Sequence, residues 1–423
     1  MNRRDVLKYG GALGALGALG TLSRTGTASP PPTQPMRRLL LVLAQGGWDT
    51  VYSIDPKLQS PTVDVPVGTI QQFGNSNVLT DPSRPNVAAF FTKYGAQTAI
   101  VNGLSVASVA HEECVKRICT GTRSETSADM GAIVGHDNGN SLPLPYLILG
   151  DQAFAGPYAV SAGRVGATNQ IIALLDPSQA YRTNNKPVFV TNAAEDALLE
   201  TYASAAVNRA RAARGAVGYN RKRVDDFASA IDRGKALQAP SIRAGFGHRG
   251  ATLKLANQIP LAVDALSQGI SQAVMLNTRL TWDTHTVNAN QAGFHDTTFV
   301  SMTTLLDLLA SKPGLKSGTT MLDDTVVVLC SEMGRSPRLN ANAGKDHWPV
   351  TSAVVMGAGV KGGRSYGATN DSLQAQLVDY TTGAASPNGL PLSFPNFAAG
   401  VLSICGVDPA NHLSDQAFNA FVA

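Results

Sequence analysis

The chain has 423 residues, of which 43% are hydrophobic and 15% are charged. Globular domains contain about 25% charged residues, so this composition excludes a largely disordered chain. The 34 Lys and Arg residues barely exceed the 30 Asp and Glu residues, which argues against a nucleic-acid partner. This length is typical of two or three domains, or of one large α/β domain.

The N-terminus has the pattern of a twin-arginine export signal. Arg3 and Arg4 precede a mildly apolar run at residues 9–22, and small residues follow at 26–28. A bilayer-spanning helix needs about 20 apolar residues, so this glycine-rich run is too short to span. We predict a removable signal at residues 1–28, a mature domain at residues 29–423, a periplasmic or secreted location, and no stable membrane span after signal removal. A retained anchor or a chance arginine pair is the alternative.

Short apolar runs recur along the rest of the chain and predict buried strands. They cover residues 39–44, 98–102, 146–149, 188–191, 273–277, 325–330 and 352–356. Helical stretches lie between them at residues 86–94, 108–120, 195–214 and 299–310. Because the strands are apolar throughout rather than alternating, we predict an α/β fold with a doubly wound, mostly parallel sheet and helices on both faces. Residues 195–237 predict a helical elaboration.

Ligands of such sheets bind beyond the carboxyl ends of the strands, so polar residues at those points are candidate site residues. Asp49 follows the first strand after two glycines, and a helix cap is its alternative role. Asp283 and His285 follow the strand at 273–277. Two residues apart on an extended chain, their side chains point the same way and can reach one metal ion. A capped helix start with a surface histidine is the alternative.

Two further candidates come late in the chain. Glu332 directly follows the strand at 325–330, and a salt bridge to Arg335 is its alternative role. Asp346 and His347 lie on a loop before the strand at 352–356, where they suit a metal ligand and the group that orients it, or ordinary loop hydrogen bonds. Histidines and carboxylates at strand ends are typical of a divalent-metal hydrolase.

These segments resemble one family. The motif GGWD at residues 46–49, WDTH at 282–285, SEMGRSPR at 331–338 and GKDHWP at 344–349 are similar to the exported bacterial family catalogued as domain of unknown function 1501. The resemblance spans essentially the whole mature chain. The family looks like a branch of the alkaline phosphatase and sulfatase superfamily.

The resemblance implies roles for individual residues. It makes Asp49, Asp283, His285, Glu332 and His347 metal ligands, with Asp346 as a further candidate. Phosphatases and sulfatases of this superfamily place their nucleophile ten positions before the glycine of a Thr-Gly pair, which here is His111. We expect His111 to point into the site from the first turn of helix 108–120 as nucleophile or ligand, with its pKa lowered by the helix dipole. Cys114 is the other candidate nucleophile.

The resemblance thus implies an exported metal-dependent hydrolase of phosphate or sulfate esters, acting on a small-molecule or polymer substrate. One or two divalent ions are expected, zinc first, with calcium, magnesium and manganese as alternatives. His111 replaces the usual Ser, Thr or Cys, and Met333 replaces a ligating histidine. These departures support a second hypothesis, a non-catalytic envelope or carbohydrate-binding protein that keeps the fold and one structural metal.

Overall fold

The computed structural model describes residues 36–150, 152–164, 182–183, 186–187, 192–215, 217–240 and 254–423. The predicted signal at residues 1–28 and the predicted strand at residues 188–191 lie outside this part of the chain. The described strands, in chain order, are β1 (Arg38–Leu43), β2 (Thr69–Phe73), β3 (Ser76–Thr80), β4 (Thr98–Ser105), β5 (Tyr146–Ile148), β6 (Ala162–Arg164), β7 (Arg182–Thr183), β8 (Lys186–Pro187), β9 (Ala273–Asn277), β10 (Thr325–Cys330), β11 (Gly334–Arg335), β12 (His347–Trp348), β13 (Val350–Gly357) and β14 (Arg364–Tyr366).

An eight-stranded sheet organises the fold, in the order β14-β4-β13-β10-β1-β9-β5-β6. β13 is antiparallel to both of its neighbours, and every other pair in this sheet is parallel. The prediction of a mostly parallel sheet is therefore confirmed. The edge strands β6 and β14 and the hairpin of β2 and β3 are too short or too polar to have been predicted from apolar runs.

Helices cover both faces of this sheet, as predicted. They are α1 (Pro85–Tyr94), α2 (His111–Thr120), α3 (Met130–Gly139), α4 (Ala193–Ala212), α5 (Gly218–Leu237), α6 (Leu255–Ser267), α7 (Gln291–Ser311) and α8 (Phe394–Ile404). Buried side chains of α2, α3 and α8 pack in one hydrophobic cluster, and those of α1, α6 and α7 pack in another. The sheet separates the two clusters because successive side chains of a strand point to opposite faces.

β1 shows this division directly. Leu39, Leu41 and Leu43 belong to the first cluster, whereas Leu40 and Val42 belong to the second. A strand buried on both faces has no polar side, which explains why its sequence is apolar without alternation.

The predicted helical elaboration consists of α4 and α5. α4 begins with a capping box in which Asn192 accepts hydrogen bonds from the first turn and Glu195 bonds back to the Asn192 backbone. Only Val207, Arg233 and Leu237 are buried in the described parts of these two helices. The elaboration therefore adds little to the hydrophobic core.

Candidate metal centre

Several chain segments meet at one edge of the sheet. β1, β9 and β10 end side by side, since Leu43 is paired with both Asn277 and Cys330. β4 reaches the same edge, because its last residue, Ser105, pairs with Val350 at the start of antiparallel β13. The loops that leave or enter these strands are therefore neighbours in space although they are distant in sequence.

Three histidines at this edge each have Nδ1 held by an oxygen atom. The pairs are His111 and Glu332 at 2.7 Å, His347 and the carbonyl of Val109 at 2.7 Å, and His285 and Asp346 at 3.2 Å. Carbonyl and carboxylate oxygens only accept hydrogen bonds, so each Nδ1 is the donor. In a neutral ring the other nitrogen, Nε2, is then an acceptor.

The three Nε2 atoms converge on one carboxylate oxygen. Oδ1 of Asp283 lies 3.5 Å from Nε2 of His111, 3.1 Å from that of His347 and 3.2 Å from that of His285. The Nε2 atoms of His285 and His347 are themselves 2.9 Å apart. Acceptors that face one another at these distances repel unless a proton or a cation lies between them.

The donor set fits a divalent cation. Nε2 of His111 is buried and has no hydrogen-bond partner. His111, Asp283 and His347 each offer a ligand atom within 4.8 Å of the other two. Zinc binds nitrogen and oxygen at about 2.1 Å, which places the ligand atoms of one tetrahedral ion about 3.3 Å apart. An oxygen acceptor on the second ring nitrogen is also the usual companion of a metal-binding histidine.

Glu332 contacts this cluster through His111. Its side chain is fully buried. Oε1 accepts hydrogen bonds from Gly46 N at 2.7 Å and His111 Nδ1 at 2.7 Å, and Oε2 accepts one from Ser331 Oγ at 3.0 Å. The sequence left open a salt bridge between Glu332 and Arg335 as an alternative. In the structure Arg335 instead forms a salt bridge with Asp283.

The expected effect of the α2 dipole on His111 is wrong. The hydrogen bond that His111 donates to Glu332 is the main influence, and it raises the pKa of His111 although burial opposes the rise. A carboxylate at 2.7 Å outweighs the partial charge of a helix end. The contact with Glu332 therefore shifts His111 toward the imidazolium form relative to a free histidine, and an imidazolium is a poor nucleophile.

Arg335 holds the carboxylate of Asp283 in place. Its guanidinium is fully buried and donates to the carbonyls of Gly46, Gly47 and Lys345 as well as to Oδ1 of Asp283, at 2.5 Å. Burial raises the pKa of Asp283, but the hydrogen bond from Arg335 and the contact with His347 outweigh this and lower the pKa to about 2. Asp283 is consequently ionised at neutral pH.

Asp49 has a different environment from the other candidate ligands. It is fully buried, and its Oδ2 pairs with Nζ of Lys345 at 2.8 Å and accepts a hydrogen bond from Asn288 at 2.8 Å. Its Oδ1 caps a short 3-10 helix by accepting from Val51 N at 3.4 Å. The capping role that the sequence left open is thus present, whereas the predicted metal role of Asp49 stays a prediction.

A cleft of about 540 Å³ adjoins the cluster. His111 and Asp283 form part of its wall, and the remaining lining residues are Gln45, Gly46, Asn277, Arg279, Leu280, Thr281 and Trp282. These residues lie at or just beyond the ends of β1 and β9, so the cleft opens at the same edge of the sheet as the histidines. It provides space for a ligand in contact with the cluster.

Cys114 and the remaining histidines lie outside this arrangement. Burial raises the pKa of the Cys114 thiol to about 11, which disfavours it as a nucleophile. His295 is fully buried between aromatic rings, where burial lowers its pKa to about 3. His136 and His412 flank Asp137, each at 2.7 Å, and His248 lies outside the described residues.

Two groups of the centre were missed by sequence reasoning. The Val109 carbonyl is a backbone atom and has no side-chain signal. Lys345 is nearly as buried as Asp49, with 1% of its side chain exposed, and only its position beside Asp346 and His347 in the motif draws attention to it.

The fold and the site together define a class, an α/β protein with a mostly parallel sheet and a histidine and aspartate cluster beyond its strand ends. The chain belongs to the family described as protein of unknown function DUF1501, which matches residues 36–413. Residues 1–20 match the signal sequence of the twin-arginine translocation pathway, so export to a periplasmic or secreted location is confirmed. No curated protein matches the chain at a significant level.

Solved structures with a similar fold include members of the alkaline phosphatase superfamily. A protein of that superfamily from Vibrio parahaemolyticus is 11% identical, with 90% of this chain and 69% of that chain covered and a TM-score of 0.39. The soluble domain of lipooligosaccharide phosphoethanolamine transferase A from Neisseria meningitidis is 12% identical, with 93% and 94% covered and a TM-score of 0.33. Alkaline phosphatase from the Antarctic bacterium TAB5 is 10% identical, with 77% and 93% covered and a TM-score of 0.32.

Among the described residues, no helix has both the length and the apolar character needed to cross a membrane.

Proposed function

We propose that this protein is an exported metal-dependent hydrolase of phosphate or sulfate esters, with a mature chain that starts near residue 29. The observation that carries the proposal is the convergence of three Nε2 atoms on Asp283 Oδ1 at 3.1 to 3.5 Å, with every Nδ1 engaged by an oxygen. An arrangement of mutually facing acceptors is stable when a cation lies among them.

The ligands in this proposal are His111, Asp283, His285 and His347. Three imidazoles and one carboxylate favour zinc, because calcium and magnesium prefer an all-oxygen set. Glu332 and Asp346 do not bind the ion in this proposal. They orient the ligands His111 and His285, respectively. We infer one ion rather than two, because Lys345 and Asn288 already engage Oδ2 of Asp49.

The bound ion would have four protein ligands, so it would have to accept the ester oxygen as a fifth ligand, as catalytic zinc sites can; it would then supply a Lewis acid that stabilises negative charge on that oxygen. The protein's own residues prepare this site. Arg335 keeps Asp283 ionised, while Glu332 and the Val109 carbonyl hold the rings of His111 and His347 so that Nε2 faces the cluster. Because these partners are already in place, little reorganisation is needed when an anionic substrate enters.

The test combines metal analysis with an ester screen. The exported protein is purified, its zinc content is measured, and p-nitrophenyl phosphate, bis-p-nitrophenyl phosphate and p-nitrophenyl sulfate are assayed. We expect about one zinc per chain and turnover of at least one ester, with both lost in Asp283→Asn. Asp137→Asn is the matched control, since Asp137 also lies between two histidines but outside the cleft. Zinc-free, inactive wild-type protein would refute the proposal.

A second candidate function has one observation in its favour. The four residues of the cluster include no hydroxyl or thiol, and His111 stands at the position where the superfamily resemblance implies a nucleophile. A non-catalytic envelope or carbohydrate-binding protein with one structural metal accounts for this. Stoichiometric zinc without turnover of any of the three esters would favour this second function.

A further inference from the structure

The helices α4 and α5 form a hairpin that the proposed function does not use. Two salt bridges join them, Arg211 to Asp225 at 2.8 Å and Glu200 to Lys235 at 3.0 Å. Because the residue number rises along one helix as it falls along the other, the helices are antiparallel. Each has 20 residues and is therefore about 30 Å long. The turn between them lies that far from the start of α4 and the end of α5.

Positive charge is concentrated at the turn end of this hairpin. Of the 34 Lys and Arg and 30 Asp and Glu in the chain, residues 1–28 hold four and one, and residues 209–226 hold six and two, which leaves 24 against 27 elsewhere. The six cations are Arg209, Arg211, Arg214, Arg221, Lys222 and Arg223. All except Arg211 are exposed. The turn end is thus a basic region on a domain whose other charges are slightly acidic.

Two of these cations are not neutralised by a carboxylate. Asp225 pairs with Arg211 and Arg221, at 2.8 and 3.1 Å, whereas Arg214 and Arg223 have no salt bridge within the described residues. The guanidinium of Arg223 instead lies 5.8 Å from the centre of the Tyr219 ring. Both arginines therefore present their charge to the surroundings of the protein.

The same hairpin carries the exposed aromatic side chains. In the part of the chain that the structure describes, these are Tyr202, Tyr219 and Phe227, each more than half exposed. Val217, in the turn, is also more than half exposed. Single exposed apolar residues are ordinary, but a group of them in one place marks an interaction surface.

The basic and apolar groups are interleaved. Tyr219, Arg223 and Phe227 follow one another at intervals of four, which places them on one face of α5. Arg214 and Val217 lie in the adjoining turn. Tyrosines at the level of the lipid head groups, aliphatic side chains below them and arginines near the lipid phosphates are the groups that hold a protein on an anionic bilayer. An acidic polymer would match the charges alone and would leave Val217 without a role.

We propose that the turn end of this hairpin docks the exported protein on the surface of an anionic lipid bilayer. Arg214 and Arg223 attract the lipid phosphates, and Val217 and Tyr219 enter the head-group region. Because salt screens such an attraction, binding weakens as the ionic strength rises. The inference depends on neither zinc nor turnover, so its failure leaves the hydrolase proposal intact.

The experiment measures co-sedimentation of the full-length mature protein with lipid vesicles. We expect binding to vesicles of phosphatidylethanolamine and phosphatidylglycerol, which are anionic, and none to vesicles of phosphatidylcholine. The double variant Arg214→Gln, Arg223→Gln should weaken this binding by about tenfold or more, because each cation near an anionic surface contributes. The matched control is Lys316→Gln, Lys361→Gln, which removes the same charge from exposed positions outside the hairpin and should bind as the wild type does.

A second variant tests the apolar contribution. Val217 is the N-cap residue of α5 and makes no capping hydrogen bond, so Val217→Ser places a preferred N-cap residue there and keeps the helix. It should weaken vesicle binding by about fivefold.

Three results would overturn the inference. The first is a wild type that does not bind the anionic vesicles or binds the phosphatidylcholine vesicles equally well. The second is a double arginine variant that binds no more weakly than the lysine control. The third is unchanged binding by Val217→Ser, which would show that charge alone acts and that the partner is an acidic polymer.

Discussion

The tripeptide Trp-Asp-Thr occurs twice at this edge of the sheet, with different outcomes. Asp49 follows β1 and Asp283 follows the adjacent β9, and the tryptophans that precede them, Trp48 and Trp282, are fully buried and meet edge to face at 6.2 Å. Yet Asp49 is fully buried, whereas the side chain of Asp283 is 42% exposed. The same three residues thus produce an internal ion pair in one loop and a candidate ligand in the other.

The difference lies in the path of the chain after each tripeptide and in the cation that each carboxylate meets. After Asp49 the chain turns into a 3-10 helix, and this carboxylate meets Lys345. After Asp283 the chain continues to His285, and the carboxylate of Asp283 meets Arg335. Gln291 links the two loops, since it accepts from Asp49 N and donates to the carbonyl of Trp282. We conclude that the first loop stabilises this edge of the sheet and that the second loop carries candidate metal ligands.

The largest expected effect is on stability at the first loop. Asp49→Ala leaves Lys345 as an unpaired buried cation, so the free energy of unfolding should fall by about 3 to 5 kcal/mol in chemical denaturation. Lys345→Met in the same chain should restore much of the loss, because it removes that charge at similar volume. A decrease in the free energy of unfolding of less than about 1 kcal/mol would contradict a stabilising role for Asp49.

The second effect is on metal affinity at the other loop. Asp283→Asn should weaken zinc binding by at least about 100-fold, since even residues that only orient ligands change metal affinity 10- to 100-fold. Competition with a chromophoric chelator measures this. The folded double variant Asp49→Ala, Lys345→Met should retain the zinc affinity of the wild type. A loss of zinc affinity equal to that of Asp283→Asn would instead assign Asp49 to the metal site.

A smaller loss of zinc affinity, about 10- to 100-fold, is expected for Glu332→Gln. The hydrogen bond that His111 donates to Glu332 is the largest cause of the raised pKa of His111, so this variant should also lower that pKa in the metal-free protein, which an NMR titration measures. Ser331→Ala is the control, because Ser331 bonds Oε2 and leaves the contact of Oε1 with His111 in place. An unchanged pKa would contradict the orienting role.

The smallest effect concerns the metal-free protein. Asp283→Asn should lower its free energy of unfolding by less than Asp49→Ala does, because the side chain of Asp283 is 42% exposed, asparagine keeps an oxygen acceptor for Arg335, and Arg335 keeps three carbonyl acceptors. Thermal unfolding in the presence of a chelator measures this. If Asp283→Asn lowered the free energy of unfolding as much as Asp49→Ala does, both loops would have a structural role and the proposed difference between them would be wrong.

The sequence predicted the position of the centre better than the role of its members. Apolar strands that end in polar residues indicate the edge of the sheet, and His285, His347 and Asp283 meet there. The role of Glu332 could not be read in the same way, because its contact with His111 depends on how α2 lies against the end of β10. The antiparallel direction of β13 was also hidden, since a strand buried on both faces is apolar in either direction.

By itself the sequence determined the export signal, the α/β class and the strand ends where polar residues gather, because each of these depends on local composition and periodicity. Only the tertiary structure decided that Asp49 pairs with Lys345 while Asp283 faces three histidines. Identical tripeptides have identical local preferences. The electrostatic environment of each carboxylate comes instead from side chains that are distant in sequence, and only folding brings them within a few ångströms.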